Sequence, residues 1–369
     1  MLKKLWNNET ARLAVILCVL LAFTALMYFL LPGAAQRPTP SGADDPAQET
    51  GELVSEWKNT EIVTYDGEAL SERVVFTFDE NGNEASQITY RSDGAVLSWY
   101  DSTYDADGNL TKYVSRGADG EVLFWTESEY DAAGHETVHR TYDADGKLTG
   151  WTEEEYDENG NHTGHIKRSL SGEIAYRSET EYDENGNELR AADYNADGEM
   201  ESRAEYAFDE NGSMTELKRF YPDGSVSSWM TWEFDESGKL LKNSSLNPDG
   251  TVLFWTEYTY DRQGREIMRV GYNEDGSMDD WKQSVYDEKG NLIKYSSHNE
   301  EDGIFEWTEY DYDEQGREIC ARSCLEDGTV WGSTVTEYDE YGHMVKSSDY
   351  NPDGSLMRYT EFKYELITY

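Results

Sequence analysis

Basic residues are scarce in this 369-residue chain: 31 Lys and Arg stand against 76 Asp and Glu, a formal net charge of −45. So acidic a surface repels a phosphate backbone, which excludes nucleic-acid binding. It favours solubility and draws cations. Cysteine is nearly missing, with three in all. Cys18 lies in an apolar run, and Cys320 and Cys324 are four residues apart on an expected strand. At roughly 3.3 Å per residue their Cα atoms stand about 13 Å apart, whereas a direct disulfide needs less than about 7 Å. No disulfide framework is implied. Apolar residues are thin too, at 37% of the chain with a mean hydropathy of −0.81. That is too little for one large core and suits a thin sheet whose units stack on their neighbours. A nucleophile elbow, a phosphate loop, a zinc-helix motif and a dinucleotide fingerprint are all absent. The chain reads as non-catalytic and without a cofactor.

What is present begins with aromatics: 27 Tyr and 11 Trp, residues that suit strands and bury much area each. One long apolar run, Leu13 to Leu31, is uncharged and nineteen residues long. As a helix it would span roughly 28 Å, close to the hydrocarbon thickness of a bilayer. Lys3, Lys4 and Arg12 precede it, and Asp44 and Asp45 follow. The positive-inside tendency puts residues 1–12 in the cytoplasm and the rest of the chain outside. Residues 13–31 are thus a signal-anchor through which the chain partners a membrane. The small residues at 32–36 leave open the alternative of a cleaved signal peptide and a secreted product. Residues 32–51, rich in Pro, Gly, Ala and acid, read as a flexible linker.

From there on the chain repeats. An aromatic–Asp–x–x–Gly motif starts at Phe78, Tyr104, Tyr130, Tyr156, Tyr182, Phe208, Phe234, Tyr260, Tyr286, Tyr312 and Tyr338, and every step is 26. A register held so long identifies a tandem-repeat architecture. A second glycine marks each unit, as in Asn-Pro-Asp-Gly at 247–250, and only Gly303 comes one residue late. Each unit therefore holds two turns. Between them lie eight to ten residues rich in Thr, Tyr, Trp and Val, which read as strands. Tight turns with glycine at positive φ join antiparallel neighbours. The expected fold is all-β: eleven 26-residue β-hairpin repeats over residues 78–363, about twenty-two strands, as an elongated or spirally rolled antiparallel meander. Residues 52–77 read as a degenerate capping repeat and 364–369 as a terminal strand.

Within the second strand of each unit a tryptophan column recurs: Trp99, Trp125, Trp151, Trp229, Trp255, Trp281 and Trp307, with Arg177 and Arg203 interrupting it. Each column residue precedes the next motif aromatic by five. Odd spacing on a strand places the two columns on opposite faces. Either both faces are covered, or one column is open to a ligand. The seven tryptophans are thus the candidate ligand-binding residues. Two other clusters stand out. His135, His139, His162 and His165 fall in adjacent units, but an intervening strand would hold His139 and His165 roughly 10 Å apart, too far to share one ion. The Asp-x-Asp-Gly turns, such as Asp105 to Gly108, resemble half of a calcium loop without its bidentate Glu. They allow at most weak, cumulative calcium binding.

Tyr-Asp-Glu-Asn-Gly-Asn at 156–161 and 182–187, with Tyr-Asp-Ala-Asp-Gly-Asn at 104–109, resembles the YD repeat of the rearrangement-hotspot and teneurin families. The resemblance covers residues 78–363. It implies β-hairpins winding into a shell on a secreted or surface protein. The 26-residue spacing is longer and more regular than is usual there, and no toxin domain follows, so toxin delivery is not implied. A looser likeness links Tyr272 to Trp281 with the aromatic hairpins of choline- and cell-wall-binding modules, which cage a quaternary ammonium by cation–π attraction. These readings lead to a non-catalytic cell-surface scaffold that binds glycan, cell-wall polymer or protein. The alternative is a structural spacer without a ligand of its own.

Overall fold

The computed structural model describes residues 55–300 and 303–369. The expected anchor at 13–31 and linker at 32–51 lie outside the described residues. Every regular element described is a β-strand. There are 24, beginning with Ser55–Asp66 and ending with Leu356–Thr368. Each pairs antiparallel with the next in sequence, and the first also pairs with the last. That last pairing runs from Ser55 opposite Thr368 to Asp66 opposite Arg358.

The sheet is therefore a closed up-and-down barrel, where the sequence suggested an elongated or spiral meander. The reason lies at the two ends of the described chain. The residues read as a degenerate cap supply two full strands, Ser55–Asp66 and Ala69–Phe78. The terminal strand is the end of a 13-residue one. Together they leave no exposed edge, the strongest remedy against edge-to-edge aggregation. Twenty-four strands at ~4.8 Å spacing make a ring roughly 115 Å around, so about 37 Å across before strand tilt widens it. Extensive strand contacts are all between neighbours in this ring. The described core is meagre: Ile166, Ala192, Ala204, Leu217 and Cys324 are its buried apolar residues, and no large side chain is fully buried. The barrel is hollow, and its stability is the sum of neighbour-to-neighbour terms.

One turn geometry serves both ends. In the Tyr156 unit the Asp157 amide donates to the Asn161 carbonyl (3.0 Å) and the Gly160 amide to the Asp157 carbonyl (3.1 Å). This is a three-residue loop closed by glycine at positive φ (83° at Gly160), the type I turn with a glycine bulge. The turn at Asn247 to Thr251 repeats it. The motif turns gather at one rim and the second-glycine turns at the other. Residues 55 and 369 both sit at the motif rim.

The late glycine has a structural consequence. In every other hairpin closed by a second-glycine turn, the strand after the turn carries one unpaired bulge residue, as between Val96 and Ser98 opposite Thr89 and Tyr90. The hairpin holding Gly303 pairs without interruption from Lys294–Glu309 to Asn299–Ile304. Its extra loop residue stands in for the bulge, so the register downstream is kept.

The seam between first and last strands has its own packing. Tyr65 stacks on Tyr359 at 4.4 Å and 9°. Trp57 lies against Tyr341 (5.0 Å) and His343 (5.3 Å), and His343 stacks on Tyr364 (4.8 Å). Tyr369 fills the space beside Gly82 and donates to Glu56 (2.9 Å).

Candidate functional site

The seven candidate tryptophans are all half-buried, neither covered nor open. They share the face of their strands with the residues opposite them, and their neighbours repeat. Trp125 stacks on Tyr142 of the following strand (5.1 Å, 13°), while Lys112 of the preceding strand holds its ammonium 5.7 Å from the ring centre. Trp255 stands likewise between Tyr272 (5.1 Å, 17°) and Lys242 (5.3 Å). Trp281 stacks on His298 (5.9 Å, 6°) and meets Phe305 (5.6 Å). Trp151 lies between Arg140 (5.2 Å) and Arg168 (5.4 Å). Lys218 stands 3.9 Å over Trp229 and Lys294 4.3 Å over Trp307. The tip of Trp99 comes within 3.2 Å of where a Cβ on Gly120 would be, so that glycine also makes room for the indole.

Ring or cation neighbours thus lie against Trp125, Trp151, Trp255 and Trp281 on more than one side, and a single lysine stands over Trp229. The interruption in the column is chemical rather than spatial. Arg203 sits in the tryptophan position and lays its guanidinium over Phe220 at 4.4 Å. Arg177 pairs instead with Glu155 (3.3 Å) and Glu179 (3.2 Å).

The motif aromatics form a second ladder. Tyr130 donates its hydroxyl to the Leu110 carbonyl (2.8 Å), Tyr286 to Glu266 (3.1 Å) and Tyr338 to Glu318 (2.9 Å), each twenty residues back. Tyr104, Tyr156, Tyr182, Tyr260 and Tyr312 do the same. Pairing between those strands stops short, at Lys112–Glu127 in the first case. The next carbonyl would lack a donor, and the hydroxyl supplies one.

The residue after the motif glycine was not singled out from sequence, yet in several units it ties one turn to the next. His135 stacks on Tyr156 (4.6 Å), and Arg265 and Arg317 lie over Tyr286 (4.4 Å) and Tyr338 (4.6 Å). The available signal was that this position always carries an N–H or O–H donor.

The acidic turns have a local role. Asp157 Oδ1 accepts from the amides of Asn159 and Asn161 (both 2.9 Å), and Oδ2 accepts from the Asn161 side chain (2.9 Å). The Asn161 side-chain bond, then its amide, hold the Asp157 carboxyl below its ordinary range. Asp105 and Asp183 behave alike through Asn109 and Asn187. These oxygens are engaged by the turn.

The histidines separate as strand spacing requires. Glu154 accepts from both His162 Nε2 and His165 Nδ1 (2.7 Å each). His139 lies two strands away with Ser128 (3.1 Å) and Glu136 (3.0 Å). Both of those partners meet the same ring nitrogen, Nδ1. A Ser–His–acid relay needs one on each nitrogen, so this trio cannot activate the serine. Among the described residues no group of three or more His, Cys, Asp or Glu is arranged to hold a metal ion.

A closed barrel of tandem hairpins, tied by a tyrosine ladder and an aromatic–cation ladder, defines a repeat shell. The sequence pattern of teneurin YD-shell matches residues 114–366, and the chain belongs to that family. No curated protein matches it. Among solved structures it is similar to the TcdB2-TccC3-Cdc42 crystal structure, at 12% identity and a TM-score of 0.31, over 80% of this chain and 20% of that one. The Photorhabdus luminescens Tc holotoxin pore gives 12% identity and a TM-score of 0.15, over 81% and 26%. A porin-like protein from Bacteroides uniformis gives 11% and 0.23, over 83% and 96%. The chain spans about a fifth of the length of the first of these.

Proposed function

We propose that this chain is a non-catalytic structural scaffold: a hollow ring carried outside a membrane by residues 13–31, its tryptophan column serving as internal support. The observation that carries this is the occupancy of the indole faces. A binding column offers free ring faces, whereas at Trp125, Trp151, Trp255 and Trp281 the Lys, Arg, Tyr and His of neighbouring strands lie against them. The test is Trp255→Ala with Trp281→Ala in the full chain. Loss of stability with no change in binding to purified cell-wall and host-glycan preparations supports a scaffold. Intact stability with lost binding returns the column to a ligand.

The anchor reading is supported by the apolar run and its flanking charges. The barrel is unsuited to insert itself. One face carries Lys112, Glu127, Glu153 and Arg168, the other His139, His165, Asp193 and Arg269, so neither offers the apolar band of about 25 Å that lipid-facing barrels show. Alkaline carbonate should leave the full chain in the membrane pellet and release a variant lacking residues 1–51. A full chain that also washes off would refute the anchor.

A further inference from the structure

Trp331 stands outside the tryptophan column, as Trp232 does, but unlike Trp232 it lies at an unpaired strand position. The 26-residue step puts Ser333 in the column position of its unit, and the indole stands two residues earlier. There it is the unpaired bulge residue: Val330 faces Cys324 and Gly332 faces Ser323. Trp331 is 53% exposed, and among the described residues its ring has no stacking, cation or hydrogen-bond partner. The other bulge positions carry no aromatic ring, holding Leu123, Leu253 and Met357 in some hairpins and Thr149, Glu201, Ser227 and Asp279 in others. Phe305, at the same repeat position in the bulge-free hairpin, packs between Trp281 and Trp307 (5.6 and 5.5 Å).

The free indole separates two depressions. The larger, of about 420 Å³, is lined by Ser323, Thr334, Asp349, Asn351 and Met357 among others. The smaller, of about 160 Å³, includes Tyr295, Ser297, Glu306 and Thr308. Their combined extent falls in the range of small-molecule sites. Ala321, Ser323, Thr334 and Asp349 hold strand positions on the face opposite the tryptophan column, while Trp307 and Ser333 of the column positions also border the depressions. Beside the indole stand the small residues Ala321, Ser323 and Gly332. The polar groups are mostly neutral hydroxyls and an amide. The one acid of the larger depression, Asp349, is already satisfied by Thr334 Oγ1 (2.8 Å) and by Arg358 (3.1 Å).

We propose that Trp331 and its flanking depressions form a binding subsite for a neutral oligosaccharide. The aliphatic face of one pyranose ring lies on the indole. Its hydroxyls reach Ser323, Thr334 and Asn351 on one side and Thr308 with Glu306 on the other. A cationic ligand is disfavoured, because a single platform is no aromatic cage and Asp349 carries its own cation. The scaffold reading does not depend on this subsite.

The experiment is isothermal titration of the full chain with chitotetraose, cellotetraose and mannotetraose, and with choline as the cationic comparison. At least one tetrasaccharide should saturate. Trp331→Ala should weaken it at least ~10-fold, about 1.4 kcal/mol, with an unchanged melting temperature. Trp331→Phe should restore part of the loss. No heat from any of the three sugars, equal binding by Trp331→Ala, or saturation by choline alone would each overturn the subsite.

Discussion

Replacing Trp255 by alanine separates a ladder that supports the ring from one that awaits a ligand. The indole is half-buried. Tryptophan buries up to about 250 Å² in a packed site, so roughly 120 Å² is removed from water here. At about 25 cal/mol per Å² that is ~3 kcal/mol, an upper value because unfolded chains already bury some surface. Stacking on Tyr272 and the Lys242 ammonium add about 1 kcal/mol between them at so exposed a site. The alanine keeps some of this, and the expected loss is ~2–4 kcal/mol. Because the barrel is held by neighbour terms, the loss should be local. Hydrogen exchange should quicken in Val252–Tyr260 and in the flanking strands Leu240–Leu246 and Glu266–Asn273. It should stay unchanged across the ring near Leu110–Gly117. A change below ~0.5 kcal/mol, the size of an ordinary surface substitution, with no local exchange response would refute the support role.

Three further outcomes follow from the same geometry. Tyr286→Phe removes the donor to the Glu266 carbonyl and should cost about 1 kcal/mol in urea unfolding; no loss would mean that water serves that carbonyl equally well. Gly354→Ala meets open space at a φ of 79° and should cost only the left-handed penalty of ~1–2 kcal/mol. Gly264→Ala must also displace Lys239, 3.0 Å away, so it should cost more, and equal losses would contradict the interlocking of the motif turns. The turn carboxylates Asp105, Asp157 and Asp183 titrate below their unfolded range, first through Asn side-chain bonds. Their contribution is therefore full above about pH 4 and is lost as pH falls through the lower folded values. Melting temperature should drop below pH 4, less steeply in Asp157→Ala, and identical slopes would remove the turns from the acid response.

Much of the fold was legible because one period governs it. The aromatic–Asp–x–x–Gly step placed both turns of each unit, and alternation put Trp and Tyr columns on opposite faces. Closure was not legible. Nothing in residues 55–77 or 356–369 repeats the motif fully, and what joins them is shape: a register of eleven facing pairs and rings such as Tyr65 on Tyr359. A repeat reads as unbounded until its ends are seen to match. The tryptophans are legible as a column, but their neighbours are not, because spacing along one strand is silent about the strand beside it. Lys112 and Tyr142 lie 13 and 17 positions from Trp125, distances that gain meaning only once the register is known. Trp331 was hidden for the opposite reason: a two-residue offset from the column looks like noise until the bulge turns it away.

The same register explains how so acidic a chain closes on itself. A charge of −45 opposes compaction through self-repulsion, and several of the few cations act more than once. Lys112 lies over Trp125 and reaches Glu127 at 2.9 Å. Arg168 lies over Trp151, grips Glu153 through two bonds of 2.7 Å and reaches the Gly172 carbonyl at 3.1 Å. Arg265 pairs with Asp261 in its own turn and covers Tyr286 of the next unit. Each such contact crosses from one strand or turn to its neighbour and is part-shielded by the ring beneath it. It is therefore worth more than the exposed ion pairs that contribute little. Meanwhile many turn aspartates spend their charge on amides of their own loop. The scarcity of Lys and Arg thus also sets how the ring is fastened: at aromatic crossings rather than by a core.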